Sequence, residues 1–373
     1  MGMKHVLKQA MEKEEDRSIS YSTYMSLALY DVTNGYYMKE REKIGRQGDF
    51  FTSSNVSSVY AKTFAHFFIR LVNEGVVAPH ICEIGGGTGK FASDVLQEWQ
   101  TISPDTFGNL QYSLIEVSPF HRRLQKQQLL SFANVSQYAS HQELGASFNG
   151  IVFSNELFDA FPVEVIEKRE DMLYEVRVKY NSGDELVEVL RPLDNEHIVN
   201  YLKRHQIELY EGQRFEVPLQ MNVYVEQLTS WLEEGILITV DYGYTNEEWM
   251  HPARREGSLR SYYEHQLIRN PLQLPGEMDI TTHIHWDALK VVCEEQGLQT
   301  VWHTKQREFL LAAGILEQLV NHEDRNPFSG NRKENRAIRS MILQGGMSDA
   351  FDVVIQKKGL PHFNLDHYLH IFS

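Results

Sequence analysis

Phe64, Phe67, Phe68, Leu71 and Val72 recur at i, i+3, i+4, i+7 and i+8, the stripe of an amphipathic helix. The stripe stops before Gly75. Pro79 then precedes a short apolar run, Ile81, Cys82 and Ile84, that suits a buried strand. Helical spacing returns at Phe91, Val95 and Trp99. The alternation continues with a strand in "YSLIEV" (112–117) and a helix from Pro119 to about Leu130. Further strands are expected in "GIVFS" (150–154), "GILITVD" (235–241) and "FDVVIQ" (351–356). Helices carrying Leu228 and Trp231, and Trp286, Leu289 and Val292, lie between them. Strands alternating with helices predict an α/β fold, a mostly parallel sheet with helices on both faces. Upstream, Ser20 is placed to cap a helix to about Tyr30, where Asn34-Gly35 supplies turn chemistry.

Two segments depart from this rhythm. Residues 163–222 show period-two patterning with turn residues at 169–171 and 181–184, then a helical stretch at about 195–210. That predicts an antiparallel, β-rich α+β insertion. Residues 244–285 are rich in Arg, His, Tyr and Pro without a clear period. A loop of that length in a compact domain is functional or a lid. The expected organisation is therefore an N-terminal helical extension or lid (1–78), a main α/β domain (79–162 and 223–373) and an inserted subdomain (163–222).

At 373 residues the chain exceeds what one core usually fills, which agrees with this division. The formal charge of −15 argues against nucleic acid as a partner and is compatible with a basic protein. Cys82 and Cys293 both fall in apolar patterns and read as buried thiols of a reducing compartment. The N-terminal stretch lacks a signal-peptide core, and no apolar run reaches the ~20 residues that cross a bilayer. The expectation is a cytoplasmic protein without membrane insertion.

The candidate chemistry begins in "HICEIGGGTGKF" (80–91). An apolar strand ends in an acid, and Gly85, Gly86, Gly87 and Gly89 lead into a helix. Glycine removes the side chains that would hold a ligand away from the backbone. A glycine-rich strand-to-helix loop is a nucleotide-type site. Lys90 stands where the dinucleotide fingerprint needs a small residue, and no Gly-Lys-Ser/Thr follows, so neither a dinucleotide nor a P-loop is indicated. In open α/β sheets ligands lie beyond the carboxyl ends of the strands. The second strand ends in Glu116, which can accept hydrogen bonds from both hydroxyls of a ribose. The third inspected strand ends in "SNELFDAFP" (154–162), and the strand at 235–241 ends in Asp241.

These residues carry a resemblance across most of the chain. "GYY" (35–37), "GDFFTSS" (48–54), "EIGGGTGK" (83–90), "IEVSPFHRRLQ" (115–125) and "NELFDAFPVEV" (155–165) run in order. "DYG" (241–243), "GSLRSYYEH" (257–265), "PGEMDITTHI" (275–284) and "TKQREFLLAAGI" (304–315) follow. The sequence resembles the MidA-type methyltransferases, which include the mitochondrial arginine methyltransferase that assists respiratory complex I assembly. It departs from that pattern at Thr52–Asn55, where an acid of the family motif is missing.

The resemblance implies a Rossmann-like class I fold and S-adenosyl-L-methionine as cofactor. It implies that Glu83, Gly85, Gly86, Gly87, Gly89, Glu116 and Val117 form the cofactor site with Ser154 and Asn155. Gly48, Asp49, Phe50 and Thr52 would fold over it. Methyl transfer from a sulfonium is an in-line displacement, so the protein mainly positions donor and acceptor. If the acceptor is arginine, its guanidinium stays protonated and needs carboxylates to orient it and to take the released proton. Glu156 is the first candidate and Asp159 the second, with Asp49, Asp241 and Asp279 behind them. The implied partner is a protein substrate, a respiratory complex subunit among the candidates, with a homodimer as the candidate assembly. Methylation of a small molecule, and an assembly factor that binds the cofactor without turnover, remain open readings. His283 and His285 alternate, but only Asp279 or His265 lies near enough to complete a site, so no metal is expected.

Overall fold

The computed structural model describes residues 2–43, 48–49, 57–320, 330–345 and 347–370. The chain divides into two compact units, 51–157 with 228–242 and 294–373, and 1–50 with 158–227 and 243–293.

The first of these is built on a seven-stranded sheet: β1 (His80–Ile84), β2 (Gln111–Ile115), β3 (Val135–Tyr138), β4 (Phe148–Asn155), β5 (Leu232–Asp241), β6 (Gln299–Lys305) and β7 (Asp352–Lys358). Their spatial order is β6-β7-β5-β4-β1-β2-β3. Only β7 runs against its neighbours; the remaining pairs are parallel. This is the mostly parallel α/β arrangement that the alternation predicts, and the Rossmann-like fold that the resemblance implies. From β1 the chain winds outward through β2 and β3, then returns to β4 on the other side of β1. The strand order therefore reverses between β1 and β4, and such a reversal opens a crevice at the strands' carboxyl ends.

One sheet face holds Ile81, Phe153, Ile238 and Ile355, fully buried. Against it pack α1 (Ser58–Asn73), α2 (Lys90–Ile102) and α4 (Gln306–Ala312), while α3 (Pro119–Gln128) connects β2 to β3. Phe64 of α1 stacks on Phe309 of α4 at 4.6 Å between centroids, and Phe91 of α2 on Phe153 of β4 at 4.6 Å. Burial of such rings contributes roughly 1.5–3 kcal/mol each. This packing corrects the expected division: α1 belongs with the sheet and not with an N-terminal extension, because its apolar stripe is part of the sheet's core.

The second unit holds a five-stranded antiparallel sheet. Strands Glu164–Arg169, Met172–Tyr180, Leu186–Pro192 and Arg214–Val217 form it, with Ile19–Ser20 on its edge. The hairpin at 169–172 turns through Glu170 and Asp171 with φ of 49° and 59°, the left-handed pair of a tight two-residue turn. Ser20 caps helix Tyr21–Tyr30 by accepting the Thr23 N–H, and Asn195 caps helix Glu196–Arg204.

One expectation is corrected in this unit. Residues 244–285 are not a structureless loop. Strands Arg260–Tyr263, Gln266–Ile268 and Asp279–Thr281 make a three-stranded antiparallel sheet. Runs of three or four residues are too short to reveal a period. The first helix ends at Met11, and the acids of "MEKEEDR" lie in the turns beyond it. Cys82 and Cys293 are buried and form no disulfide. Among the described residues no helix is long and apolar enough to cross a membrane.

Candidate active site

The crevice beside β1 is walled by the glycine loop. The Gly85 N–H donates to the Ile115 carbonyl at 2.8 Å, which extends the β1–β2 ladder by one bond. Gly85, Gly87 and Gly89 then take φ of 75°, 51° and 80°. Side-chain-bearing residues avoid that region, and added carbons would also collide. A Cβ on Gly86 would lie 2.6 Å from Leu114 Cδ2; on Gly89, 3.1 Å from Gln125 Cγ; on Gly85, 3.0 Å from Leu157 Cδ1.

Both polar groups of Gly87 are latched. Its N–H donates to Glu116 Oε2 at 3.1 Å, and its carbonyl accepts from Gln125 Nε2 at 2.9 Å. Gln125 is fully buried, and its own oxygen accepts from Gln137 Nε2 at 2.8 Å. Gly89 is the N-cap of α2 and offers no side chain to the helix's first amides. Those amides face outward as donors for an electron-rich group.

Glu116 and Glu83 play different parts. Glu116 Oε1 accepts the Ser118 N–H at 2.9 Å while Oε2 holds Gly87. Each oxygen keeps a second lone pair. Glu83 lies beneath the loop, on the sheet face shared with Leu114. Its Oε2 accepts from the Tyr112 hydroxyl at 2.7 Å. Burial pushes this carboxyl up to about 7; the Tyr112 bond opposes the shift and the Glu116 charge adds to it. The geometry thus gives Glu83 a supporting place under the glycines. Val117 is half exposed beside Glu116.

At the end of β4, Ser154 is buried, with no hydrogen-bond partner for its Oγ among the described residues. Asn155 lies opposite Val240 of β5. Glu156 leaves the strand with φ of 53°, a costly conformation for a residue with a side chain, and its N–H donates to the Val240 carbonyl at 2.8 Å. Asn155 Nδ2 donates to Glu156 Oε1 at 3.0 Å, and Asn155 Oδ1 accepts from the Tyr60 hydroxyl at 2.6 Å. Leu157 follows and covers Gly85. Glu83, the four glycines, Glu116, Val117, Ser154, Asn155 and Glu156 therefore share one unit, around one strand-order reversal. Asp241, at the end of β5, is fully buried and accepts the Tyr242 N–H at 2.9 Å.

The remaining acids belong to the second unit. Asp49 Oδ2 accepts from the Tyr36 hydroxyl at 2.7 Å and from Arg41, and Oδ1 accepts the Glu264 N–H at 2.8 Å. Asp279 is buried and accepts from the Tyr37 hydroxyl at 2.8 Å. Burial, then the neighbouring Asp159 charge, pushes the Asp279 carboxyl up to about 7. Asp159 is itself buried, and its carbonyl accepts the Thr282 N–H at 2.9 Å. Asp159 is thus grouped with Asp279, a pairing that sequence spacing does not reveal. Gly48 precedes Asp49; Phe50 and Thr52, with the rest of Thr52–Asn55, lie outside the described residues.

Tyr60, Gln125 and Gln306 escaped sequence reasoning, yet each carried a signal. Tyr60 puts a hydroxyl on the buried face of α1, and a buried phenol needs a partner. Gln125 and Gln306 are amides where helix periodicity calls for apolar residues. His285 and His283 diverge: His285 bonds Tyr201 and Asn246, and His283 stacks on Tyr244 at 4.4 Å. Among the described residues no three His, Cys, Asp or Glu side chains gather as a metal site would require.

Residues 61–304 match the model of a family described as "Putative S-adenosyl-L-methionine-dependent methyltransferase". The mitochondrial protein arginine methyltransferase NDUFAF7 homolog of Drosophila melanogaster is 26% identical over 341 residues, covering 82% of this chain and 74% of that protein. The NDUFAF7 protein of Danio rerio, also named a mitochondrial protein arginine methyltransferase, is 25% identical, covering 80% and 73%. A crystal structure from Burkholderia thailandensis, bound to S-adenosyl-homocysteine, superposes with a TM-score of 0.85 at 26% identity. The match covers 96% of this chain and 93% of that one.

Proposed function

The chain belongs to this family of S-adenosyl-L-methionine-dependent methyltransferases, and we propose that it methylates a protein side chain, with arginine the first candidate. Bound S-adenosylmethionine supplies an electrophilic methyl group on a sulfonium centre. The residues at the strand-order reversal suit such a group. The left-handed backbone at Gly85, Gly87 and Gly89 makes a tight loop that presents main chain, not side chains, to the crevice. The spare lone pairs of Glu116 would accept from the two ribose hydroxyls, and the first amides of α2 after Gly89 would donate to the tail carboxylate. Ser154 Oγ, buried without a partner among the described residues, is a further donor or acceptor for a polar ligand atom.

The observation that carries the acceptor reading is the placement of Glu156. Its backbone is held in the left-handed region by Val240 and its carboxylate by Asn155, directly after the crevice lining at Ser154 and Asn155. A guanidinium has a pKa above ~12 and a delocalised lone pair, so a fixed carboxylate must orient it and take a proton as the methyl arrives. The buried Asp159 and Asp279 pair of the second unit is a second carboxylate set suited to a cation, since a positive side chain would relieve their mutual repulsion. The acidic surface balance is compatible with a basic protein acceptor. The names of the relatives support arginine and make mitochondrial protein a first acceptor to try.

The test is transfer of labelled methyl from S-adenosylmethionine into extract protein, with the modified residue read by mass spectrometry. Label on arginine supports the reading. Label confined to the small-molecule fraction would favour a small-molecule acceptor, and cofactor binding without any transfer would favour an assembly factor.

A further inference from the structure

We propose that Tyr60 is a positioning residue for Glu156, acting through the side-chain amide of Asn155. The inference rests on the reading of Glu156 as the acting carboxylate.

The chain of contacts is continuous within one unit. Asn155 uses its Nδ2 on Glu156 Oε1 at 3.0 Å, which leaves Oδ1 as an acceptor needing a donor. The Tyr60 hydroxyl supplies it at 2.6 Å, while Gln306 Oε1 lies farther from that hydroxyl, at 3.2 Å. The single phenolic proton therefore goes to Asn155. Gln306 holds the far side: it is fully buried, its Nε2 donates to Ser348 Oγ at 3.0 Å, and its backbone N–H donates to the Phe351 carbonyl at 2.9 Å. Burial and the Glu156 charge push the Tyr60 phenol far up its titration, so it stays a donor.

The Tyr60 ring is also core, with Phe64 at 5.0 Å and Phe91 at 6.1 Å between centroids. Ring and hydroxyl are separable. Tyr60→Phe keeps the packing and deletes only the donor. Asn155 Oδ1 then lacks this donor, the amide can rotate, and the Asn155 contact that orients the Glu156 carboxylate is loosened. A core tyrosine satisfied by any nearby carbonyl would not explain why its bond ends on the amide that holds Glu156, at the one strained non-glycine φ in this unit among the described residues.

Two readouts test this. The first is the rate of labelled-methyl transfer into a fixed amount of extract protein as S-adenosylmethionine is varied. Tyr60→Phe should lower the maximal rate about tenfold to a hundredfold, with the KM for S-adenosylmethionine within about twofold. In an Asn155→Ala background the same substitution should add nothing. The second readout needs no turnover. In cofactor-free protein, the Asn155 side-chain amide, identified by its loss in Asn155→Ala, should show one slowly exchanging proton, and Tyr60→Phe should abolish that protection. An unprotected amide in the wild type, protection that survives in Tyr60→Phe, or an unchanged maximal rate would overturn the inference. Should the wild type transfer no methyl while the amide behaves as expected, the acceptor reading falls and the Tyr60–Asn155–Glu156 contact stands.

Discussion

Glu116→Gln is usually a mild change, an isostere that removes charge and keeps shape. Here it should not be mild. Both carboxylate oxygens of Glu116 face backbone donors, Oε1 the Ser118 N–H at 2.9 Å and Oε2 the Gly87 N–H at 3.1 Å. Either orientation of a glutamine amide points its NH2 at one of those N–H groups. The variant therefore loses one charge-assisted bond and leaves a donor facing a donor. It also removes one of the two acceptors available to a ribose. Loss of a hydrogen bond to a charged group costs about 1.5–3 kcal/mol. At ~1.4 kcal/mol per tenfold, that is about 10- to 150-fold in affinity. Isothermal calorimetry with S-adenosyl-homocysteine measures it directly, and Glu116→Ala should fall in the same range. If Glu116→Gln binds within about threefold of the wild type, Glu116 neither holds the ribose nor tensions the glycine loop, and the reasoning fails.

Other expectations follow the same geometry. Glu83 is raised by burial from 4.5 to about 7, so the folded state keeps a proton that the unfolded chain releases. Its contribution is fully present below pH 4.5 and is lost as pH rises towards 7, roughly 3 kcal/mol in all. Urea unfolding across pH 4.5–7.5 should show a shallower decline in Glu83→Gln; equal slopes would contradict the assignment. Gly89→Ala forces a side chain to φ of 80° with Gln125 Cγ 3.1 Å away and should cost about 1–2 kcal/mol, read as a lower melting temperature; an unchanged melt would refute the strain. Glu156→Gln should cut methyl transfer about a hundredfold or more while S-adenosyl-homocysteine affinity stays within twofold; full activity would remove Glu156 from the mechanism.

The sheet unit was legible because buried parallel strands read as apolar runs. β1, β4 and β5 fall where the apolar runs place them, within a few residues at the ends. The antiparallel insertion was legible through its turns, since Glu170 and Asp171 break two clean period-two runs. The edge strand β3, "VSQY", was not: half its residues are polar, and it is only four residues long. The site was legible where chemistry is local, in the glycines and in the acid that ends a strand. It was illegible where it depends on tertiary pairing. Nothing near Asp279 in sequence announces Asp159. The bond from Tyr60 to Asn155 spans 95 positions. Glu83 was read as a ligand contact, yet its position under Gly86 and its bond to Tyr112 follow from which sheet face it occupies.

The most direct measurement is a crystal structure of this protein with S-adenosyl-homocysteine bound. The account predicts the adenosyl group between the glycine loop and Glu116, with both ribose hydroxyls within about 3 Å of the Glu116 oxygens and the sulfur on the side of Asn155 and Glu156. A ribose gripped by other residues, or a ligand seated away from the strand-order reversal, would contradict it.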